Sequence, residues 1–194
     1  MSDLKDMISF FDSLAANWDL CPHEYATREK IIDLADFPQN SILADIGCGR
    51  GVMFEHLLIT HPKEIIAVDV SGEMIKYAQN THRDSRISYR NEDFLQAQLS
   101  TLDGAIIYNA YPHFLNKPAL AKKLAQQIRS GGFFIIAHGR SRDLINGTHR
   151  GKTVSPLSIP LEAAEAEAEK FAPAFSVVQC VDDDCFYFIK LRRK

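Results

Sequence analysis

The sequence has no long apolar run. Its longest aliphatic and aromatic stretch, Phe133 to Ala137, is far too short for a membrane-spanning helix. The opening residues, Met1 to Asp6, lack the basic and then apolar pattern of a secretory signal peptide. We therefore expect a cytoplasmic protein without a membrane partner.

Cysteine is scarce. The four residues Cys21, Cys48, Cys180 and Cys185 are too few and too scattered for a secreted disulfide framework. A bridge between Cys180 and Cys185 across a tight hairpin is sterically feasible, but a reducing compartment favours two free thiols. Their spacing does not indicate a zinc site, and we expect no metal.

An excess of positive charge is also absent. The formal net charge of −3 gives no long-range attraction to nucleic acid, and the basic tail at 190–194 is the only dense positive cluster. Neither an internal repeat nor a flexible linker divides the chain. We predict one domain over 1–194 that has no nucleic-acid partner and is a monomer or a homodimer.

Short segments rich in Ile, Val, Leu and Phe alternate with helical patterns, which is typical of strands buried in a parallel sheet. Five such segments lie at 41–46, 64–69, 86–90, 103–109 and 132–138. Two more, 175–181 and 184–192, indicate an antiparallel hairpin. The pattern predicts an α/β fold: a Rossmann-like three-layer sandwich with a mostly parallel seven-stranded sheet and a C-terminal antiparallel hairpin. Ligands of such sheets bind outside the carboxyl ends of the strands.

Capping residues predict where two helices begin. Ser71 is suited to cap one helix, and Asn116 with Pro118 to open another that continues through Ile128 and stops at the glycines that follow. Residues 162–170 favour a surface helix. We expect a loop over 140–160.

The N-terminal residues Met7, Phe11, Leu14 and Trp18 recur at helical spacing, and a second helix is predicted from Thr27 to Ala35. Such a stripe serves either core packing or a lid over a ligand, and the pattern leaves both open. We expect a helical lid at 1–37 and a core at 38–194.

A glycine turn, Asp45-Ile-Gly-Cys-Gly-Arg-Gly51, stands where the first strand becomes the first helix. Gly47 and Gly49 permit backbone angles denied to other residues and let a ligand approach the main chain. Gly51 lets the helix begin close to the strand. The spacing is Gly-x-Gly-x-Gly, which differs from the Gly-x-Gly-x-x-Gly of NAD-binding turns.

Two carboxylates accompany this turn. Asp45 would repel a pyrophosphate but suits a cationic ligand, such as one that carries a sulfonium and an amino group. Asp69 ends the second strand, 22 residues after Gly47, where an acidic side chain can accept hydrogen bonds from two ribose hydroxyls. The spacing therefore disfavours a nicotinamide-dependent dehydrogenase.

These motifs resemble those of the class I S-adenosylmethionine-dependent methyltransferases. The resemblance is carried by the glycine turn, by Val68-Asp-Val-Ser-Gly-Glu-Met74 and by Asn91-Glu-Asp-Phe94. The opening residues 10–19 are similar to the start of the quinone-biosynthesis type within that superfamily. The resemblance covers essentially the whole chain and implies S-adenosylmethionine as the cofactor and S-adenosylhomocysteine as its product.

The resemblance also implies roles for individual residues. The turn Gly47-Cys48-Gly49-Arg-Gly51 would hold the methionine part, helped by Asp45, and Asp69 would hold the ribose. Val70 and Met74 would flank the adenine.

Further along the chain, Asp93 would accept a hydrogen bond from the adenine amino group with Phe94 beside it, although the adjacent Glu92 competes for that role. Asn109 would line the sulfonium region.

The segments after the fourth and fifth strands are rich in polar aromatic and basic residues. In the expected topology these strands are neighbours, so Tyr111, His113, His138 and Arg140 would gather beside the methyl donor. We predict His113 and His138 as candidate general bases and Arg140 as the partner of an anionic acceptor group. An alternative has His113, His138 and His149 bind zinc, but no close His-x-x-x-His pair supports it.

The leading functional prediction is therefore a methyltransferase for a small-molecule acceptor, because little chain is left over to bind a macromolecule. Methylation of protein or RNA and a catalytically silent S-adenosylmethionine-binding partner protein stay open as alternatives.

Overall fold

A computed structural model of the chain describes residues 2–18, 20–149 and 155–194. Seven strands form one sheet: β1 (Ile42–Ile46), β2 (Glu64–Asp69), β3 (Ile87–Asn91), β4 (Leu102–Tyr108), β5 (Ile128–His138), β6 (Phe175–Asp182) and β7 (Tyr187–Arg193). Their order is β3-β2-β1-β4-β5-β7-β6. The first five strands are parallel, and β7 runs antiparallel to both of its neighbours. The predicted fold class is confirmed.

The α-helices in the described residues are α1 (Ser2–Leu14), α2 (Tyr25–Ala35), α3 (Phe54–Ile59), α4 (Gly72–Thr81), α5 (Lys117–Gln127), α6 (Arg142–His149) and α7 (Ala164–Glu169). Short 3-10 helices cover Ala15–Asn17, Pro22–Glu24, Tyr111–His113 and Ser155–Leu157. None of the described helices combines the length and the apolarity that a bilayer crossing needs.

The core lies on both faces of the sheet because successive strand residues point to opposite sides. Ile106 packs with α2, α3 and α4, whereas its neighbour Ile107 packs with α5 and α7. Helices therefore cover both faces, as right-handed crossovers between parallel strands require.

The predicted caps form. The Ser71 hydroxyl accepts a hydrogen bond from the Met74 backbone N–H at 3.1 Å, and the Asn116 side chain accepts one from Ala119 at 3.0 Å. Each cap satisfies a helix N–H that has no partner within its own helix.

Three boundaries differ from the expectation. The helix after Asn116 ends at Gln127, and Ile128 already belongs to β5, which bends at Gly131 in a left-handed conformation. The N-terminal α-helix stops at Leu14 and tightens into the 3-10 turn Ala15–Asn17. The expected loop over 140–160 contains α6.

The hairpin register explains the state of the cysteines. Cys180 lies opposite Ile189, whereas Cys185 belongs to the turn between β6 and β7. The two therefore do not face each other, and all four cysteines are free thiols.

Candidate active site

A cavity of about 380 Å³ opens at the carboxyl ends of the central strands. Its wall comes from the segments that follow β1, β2, β3 and β4 and from the N-terminal residues. Nine of the eleven residues predicted to bind the cofactor line it: Gly47, Cys48, Gly49, Asp69, Val70, Met74, Asp93, Phe94 and Asn109. Asp45 and Gly51 do not line it.

The glycine turn has left-handed backbone angles at all three glycines, with φ of 72° at Gly47, 53° at Gly49 and 84° at Gly51. A Cβ at Gly47 would lie 2.7 Å from the Cβ of Ala110, and one at Gly51 would overlap the Phe54 ring. At Gly47 and Gly51 the turn therefore packs too closely against its neighbours for larger residues, whereas nothing lies within 4 Å of an added Cβ at Gly49.

Asp69 connects the turn to α4. Its Oδ2 accepts a hydrogen bond from the Gly49 N–H at 2.8 Å, and its Oδ1 accepts one from the Ser71 N–H at 2.9 Å. Burial raises the pKa of this carboxyl group, although both hydrogen bonds act in the opposite direction. Each oxygen keeps a second lone pair, so Asp69 can accept further hydrogen bonds from a ligand.

Asp45 is buried at the base of the turn, with 1% of its surface exposed. Among the described residues its Oδ2 atom has no hydrogen-bond partner. Burial raises its pKa from 3.8 to about 8, and the charge of Asp69 adds to the effect. A buried carboxyl group with an unsatisfied oxygen favours a cation or an N–H donor nearby.

The segment after β3 contributes two acidic residues to the cavity. Glu92 and Asp93 both line it, and Phe94 is buried beside them. The Asp93 Oδ1 atom accepts a hydrogen bond from the Leu95 N–H at 2.9 Å. The choice between Glu92 and Asp93 as the partner of a base stays a prediction.

Glu24 is a site residue that the sequence reasoning missed. Its side chain is 3% exposed and lines the cavity. It accepts hydrogen bonds from the Tyr108 hydroxyl at 2.7 Å, from Asn109 Nδ2 at 3.1 Å and from Arg140 Nε at 2.9 Å. No sequence pattern predicts that Glu24 belongs to the site, because its hydrogen-bond partners lie 84 to 116 residues away in the chain.

Asn109 is held from both sides of its amide. It has a left-handed backbone with φ of 53°, its Nδ2 donates to Glu24, and its Oδ1 accepts from the Gly139 N–H at 3.0 Å. A Cβ at Gly139 would overlap the Glu24 carboxylate and the Tyr108 hydroxyl, so this glycine permits the contact. The ends of β4 and β5 are thereby fixed to the N-terminal segment.

The N-terminal residues complete the cavity. Leu4, Met7 and Phe11 of α1 line it together with Trp18. Helix α1 is anchored to α4, because Asp12 Oδ1 accepts from the Ser71 hydroxyl at 2.6 Å and from the Glu73 N–H at 3.1 Å. Whether this segment opens and closes as a lid stays a prediction.

His113 is the one of the four predicted catalytic residues that lines the cavity. Its Nδ1 lies 2.8 Å from the Leu157 carbonyl oxygen, and its ring packs edge-on against Phe11 at 5.0 Å. A carbonyl can only accept, so Nδ1 carries the proton and the lone pair lies on Nε2.

The structure places the other three away from the cavity wall. The Tyr111 hydroxyl is buried and donates to Glu167 at 2.8 Å, and the His138 ring is buried against Tyr187. Arg140 contacts Glu24 and His23. The side chain of His149, the third member of the alternative zinc set, lies outside the described residues.

A different cluster of metal-ligating groups exists in the described part of the chain. The ligand atoms of Cys21, His23 and Glu24 lie within 4.8 Å of one another. Both carboxylate oxygens of Glu24 already accept hydrogen bonds, and the guanidinium of Arg140 lies against this group. Since a fixed cation there opposes a second one, the cluster is better suited to hold Arg140.

The comparisons with known proteins agree with this geometry. Residues 44–136 match the family model described as a methyltransferase domain. The chain is 30% identical to malonyl-[acyl-carrier protein] O-methyltransferase of Acetivibrio thermocellus over 141 residues, which is 68% of this chain and 48% of that protein. It is 26% identical to the mitochondrial arginine-hydroxylase NDUFAF5 of Danio rerio over 180 residues, 90% of this chain and 51% of that one. The chain thus spans about half the length of these curated relatives.

Among solved structures, the N-methyltransferase NodS of Bradyrhizobium japonicum in complex with S-adenosylhomocysteine superimposes with a TM-score of 0.74. The sequence identity is 20%, and the match covers 97% of this chain and 98% of NodS. At this identity the likeness shows a shared fold.

Proposed function

We propose that this chain, which belongs to the class I S-adenosylmethionine-dependent methyltransferases, transfers the methyl group of that donor to a small-molecule acceptor. The observation that carries the proposal is the composition of the cavity. One side has a glycine turn with the buried carboxyl group of Asp45 at its base and the half-buried Asp69 at the cavity wall, and the other has an apolar wall from the N-terminal segment.

The carboxylate side suits the donor. S-adenosylmethionine supplies a methyl group activated by a positively charged sulfur. The unsatisfied oxygen of Asp45 and the open space beside Gly49, where nothing lies within 4 Å of an added Cβ, fit a cationic ligand laid against the turn. We place the ribose hydroxyls on the remaining lone pairs of Asp69, and the adenine between Val70 and Met74 with Asp93 and Phe94 at its edge.

The apolar side suits the acceptor. Leu4, Met7, Phe11 and Trp18 line it, and they present a hydrophobic surface on the part of the cavity formed by the N-terminal segment. Holding an acceptor atom in line with the methyl carbon is worth about 7–11 kcal/mol, and it requires little covalent help from the protein.

His113 is our candidate general base. The Leu157 carbonyl fixes its tautomer so that Nε2 can take a proton from a hydroxyl, thiol or amine acceptor. In this proposal Glu24 and Arg140 are positioning residues that hold Asn109 at the cavity wall, while Tyr111 and His138 support the rim through buried contacts.

The first experiment measures binding and then turnover. Calorimetry should detect binding of S-adenosylmethionine and of S-adenosylhomocysteine to the protein, whereas titration with NAD should give no heat of binding. Purified protein is then incubated with the donor and a panel of small thiols, phenols, amines and carboxylates, and S-adenosylhomocysteine and methylated products are measured by mass spectrometry. A product that gains an oxygen atom instead of a methylene group would contradict the proposed reaction, as would methylation restricted to protein or RNA.

A further inference from the structure

The glycine turn contains a charged side chain to which the sequence analysis gave no role. Arg50 lies between Gly49 and Gly51 and lines the cavity. Three acidic residues, Asp69, Glu92 and Asp93, line the same cavity. A guanidinium inside a site built to accept positive charge therefore needs an explanation.

Protein contacts hold the Arg50 side chain in place but leave part of it unsatisfied. Its Nη1 donates to the Ala15 carbonyl at 3.2 Å, and its Cζ lies 4.4 Å from the centroid of the Tyr77 ring. Its Nε is buried and has no hydrogen-bond partner among the described residues. Within the described ranges, no carboxylate forms a salt bridge with it either.

The second arginine of the cavity differs in this respect. Arg28 donates through Nε to His56 at 3.3 Å, and through Nη1 to the carbonyls of Leu20 at 3.4 Å and Cys21 at 3.1 Å. These contacts commit Arg28 to His56 of α3 and to the N-terminal loop. Arg50 is therefore the better-placed guanidinium for an anion at the glycine turn.

We infer that Arg50 binds the α-carboxylate of the donor's methionine moiety and so makes the enzyme selective for ligands that carry this group. The inference rests on the donor placement proposed above, in which the methionine moiety lies over the turn that contains Arg50. A guanidinium is the side chain best matched to a carboxylate, because it can donate two parallel hydrogen bonds.

The inference also gives the N-terminal segment a part in donor binding. Arg50 donates to the Ala15 carbonyl of the N-terminal segment and stacks on Tyr77 of α4. A ligand that binds this guanidinium therefore binds a side chain that contacts both the N-terminal segment and α4. The stem and charge of Arg50 are thus oriented before the ligand arrives, which lowers the cost of ordering them.

The test compares ligands that differ only in the amino-acid end. Calorimetry with the wild type should show that decarboxylated S-adenosylmethionine binds about 10- to 100-fold more weakly than S-adenosylmethionine, the loss expected for a charged hydrogen bond. For Arg50→Met the two affinities should become nearly equal, because the partner of the carboxylate is gone. For Arg50→Lys, which retains the charge, the ratio of the two affinities should lie between those of the wild type and Arg50→Met. Arg83→Met, at an exposed arginine after α4, should keep the wild-type ratio.

A third ligand distinguishes failure of the Arg50 inference from failure of the donor placement. 5′-Methylthioadenosine lacks the whole amino-acid chain, so it should bind wild type and Arg50→Met equally and report that the variant site is folded. Equal wild-type affinity for the carboxylated and decarboxylated donors would overturn the inference without any variant. An unchanged ratio in Arg50→Met would assign the carboxylate to backbone N–H groups. If none of the three ligands bound the wild type, the donor placement itself would fail.

Discussion

The cavity has a proposed donor side and a proposed acceptor side, and the two are built in different ways. On the donor side the hydrogen bonds that position Asp69 join residues that are close in sequence. Asp69 accepts from Gly49, 20 residues away, and from Ser71, two residues away. On the acceptor side Glu24 reaches Asn109 across 85 residues and Arg140 across 116, and His113 reaches Leu157 across 44. A local motif thus defines the first side, whereas the complete fold assembles the second.

The largest expected effect lies on the acceptor side. His113→Ala should slow turnover of the true acceptor by about 10²–10⁴-fold, because it removes the proposed general base. Donor affinity should stay within a few-fold of wild type. His82→Ala, at a half-buried histidine outside the cavity wall, serves as the matched control. Unchanged turnover in His113→Ala would remove this residue from the mechanism.

On the donor side, Asp69→Ala should weaken the binding of S-adenosylhomocysteine by about 3 kcal/mol, roughly 100-fold in Kd. The reason is that two hydrogen bonds from the ribose hydroxyls to a charged acceptor are lost. Asp69→Asn, which keeps the shape of the side chain, should lose less. Asp84→Ala, at a carboxylate that pairs with Arg86 away from the cavity, should bind normally. Calorimetry gives all three values, and equal affinities would show that the ribose lies elsewhere.

The acceptor side can also be weakened at Glu24, which is not part of the glycine turn. Glu24→Gln replaces an acceptor of three hydrogen bonds with a neutral amide, which should lower the free energy of unfolding by about 1–3 kcal/mol. It should also reduce kcat about tenfold while leaving donor affinity unchanged, since Asn109 loses its orientation but the glycine turn does not. Denaturant titration and steady-state kinetics measure the two effects. A loss of donor affinity equal to the loss in kcat would contradict the division into two sides.

A further expected effect concerns pH. Because the pKa of Asp45 is raised to about 8, this group is protonated in the free protein at neutral pH. A cationic donor favours the ionised form, so affinity should rise with pH and level off above about 8, by no more than about tenfold per pH unit. Asp45→Asn should flatten this dependence in calorimetry between pH 6 and pH 9. An unchanged slope would assign it to another group, such as the nearby Asp69.

The same carboxyl group affects stability in the opposite direction. Its pKa is 3.8 ordinarily and about 8 in the folded protein, so its contribution to stability is complete below pH 4 and is lost as pH rises through 8. Thermal unfolding of the ligand-free protein should therefore show this loss in the wild type and not in Asp45→Asn.

The sequence allowed the fold and the place of the glycine turn at the cavity to be predicted for a physical reason. Gly47, Gly49 and Gly51 have conformations that glycine adopts readily, and the alternation of buried strands and helices specifies the sheet. The turn after β1 and the carboxylate that ends β2 are positioned by that local pattern alone.

The acceptor side could not be predicted in the same way. Tyr111 and His138 follow the correct strands, but their side chains point into the core toward Glu167 and Tyr187. Glu24 stands in a short 3-10 helix with no motif around it, and only the packing of the N-terminal segment onto β4 and β5 makes it part of the site. The direction of a side chain at a strand end depends on such long-range contacts.

A crystal structure of the protein with S-adenosylhomocysteine would test the central claim most directly. We predict the ribose hydroxyls on the Asp69 carboxylate and the homocysteine chain over Gly47 to Gly51, with its sulfur facing Asn109. Density for the ligand away from the glycine turn, or a ribose that makes no contact with Asp69, would contradict it.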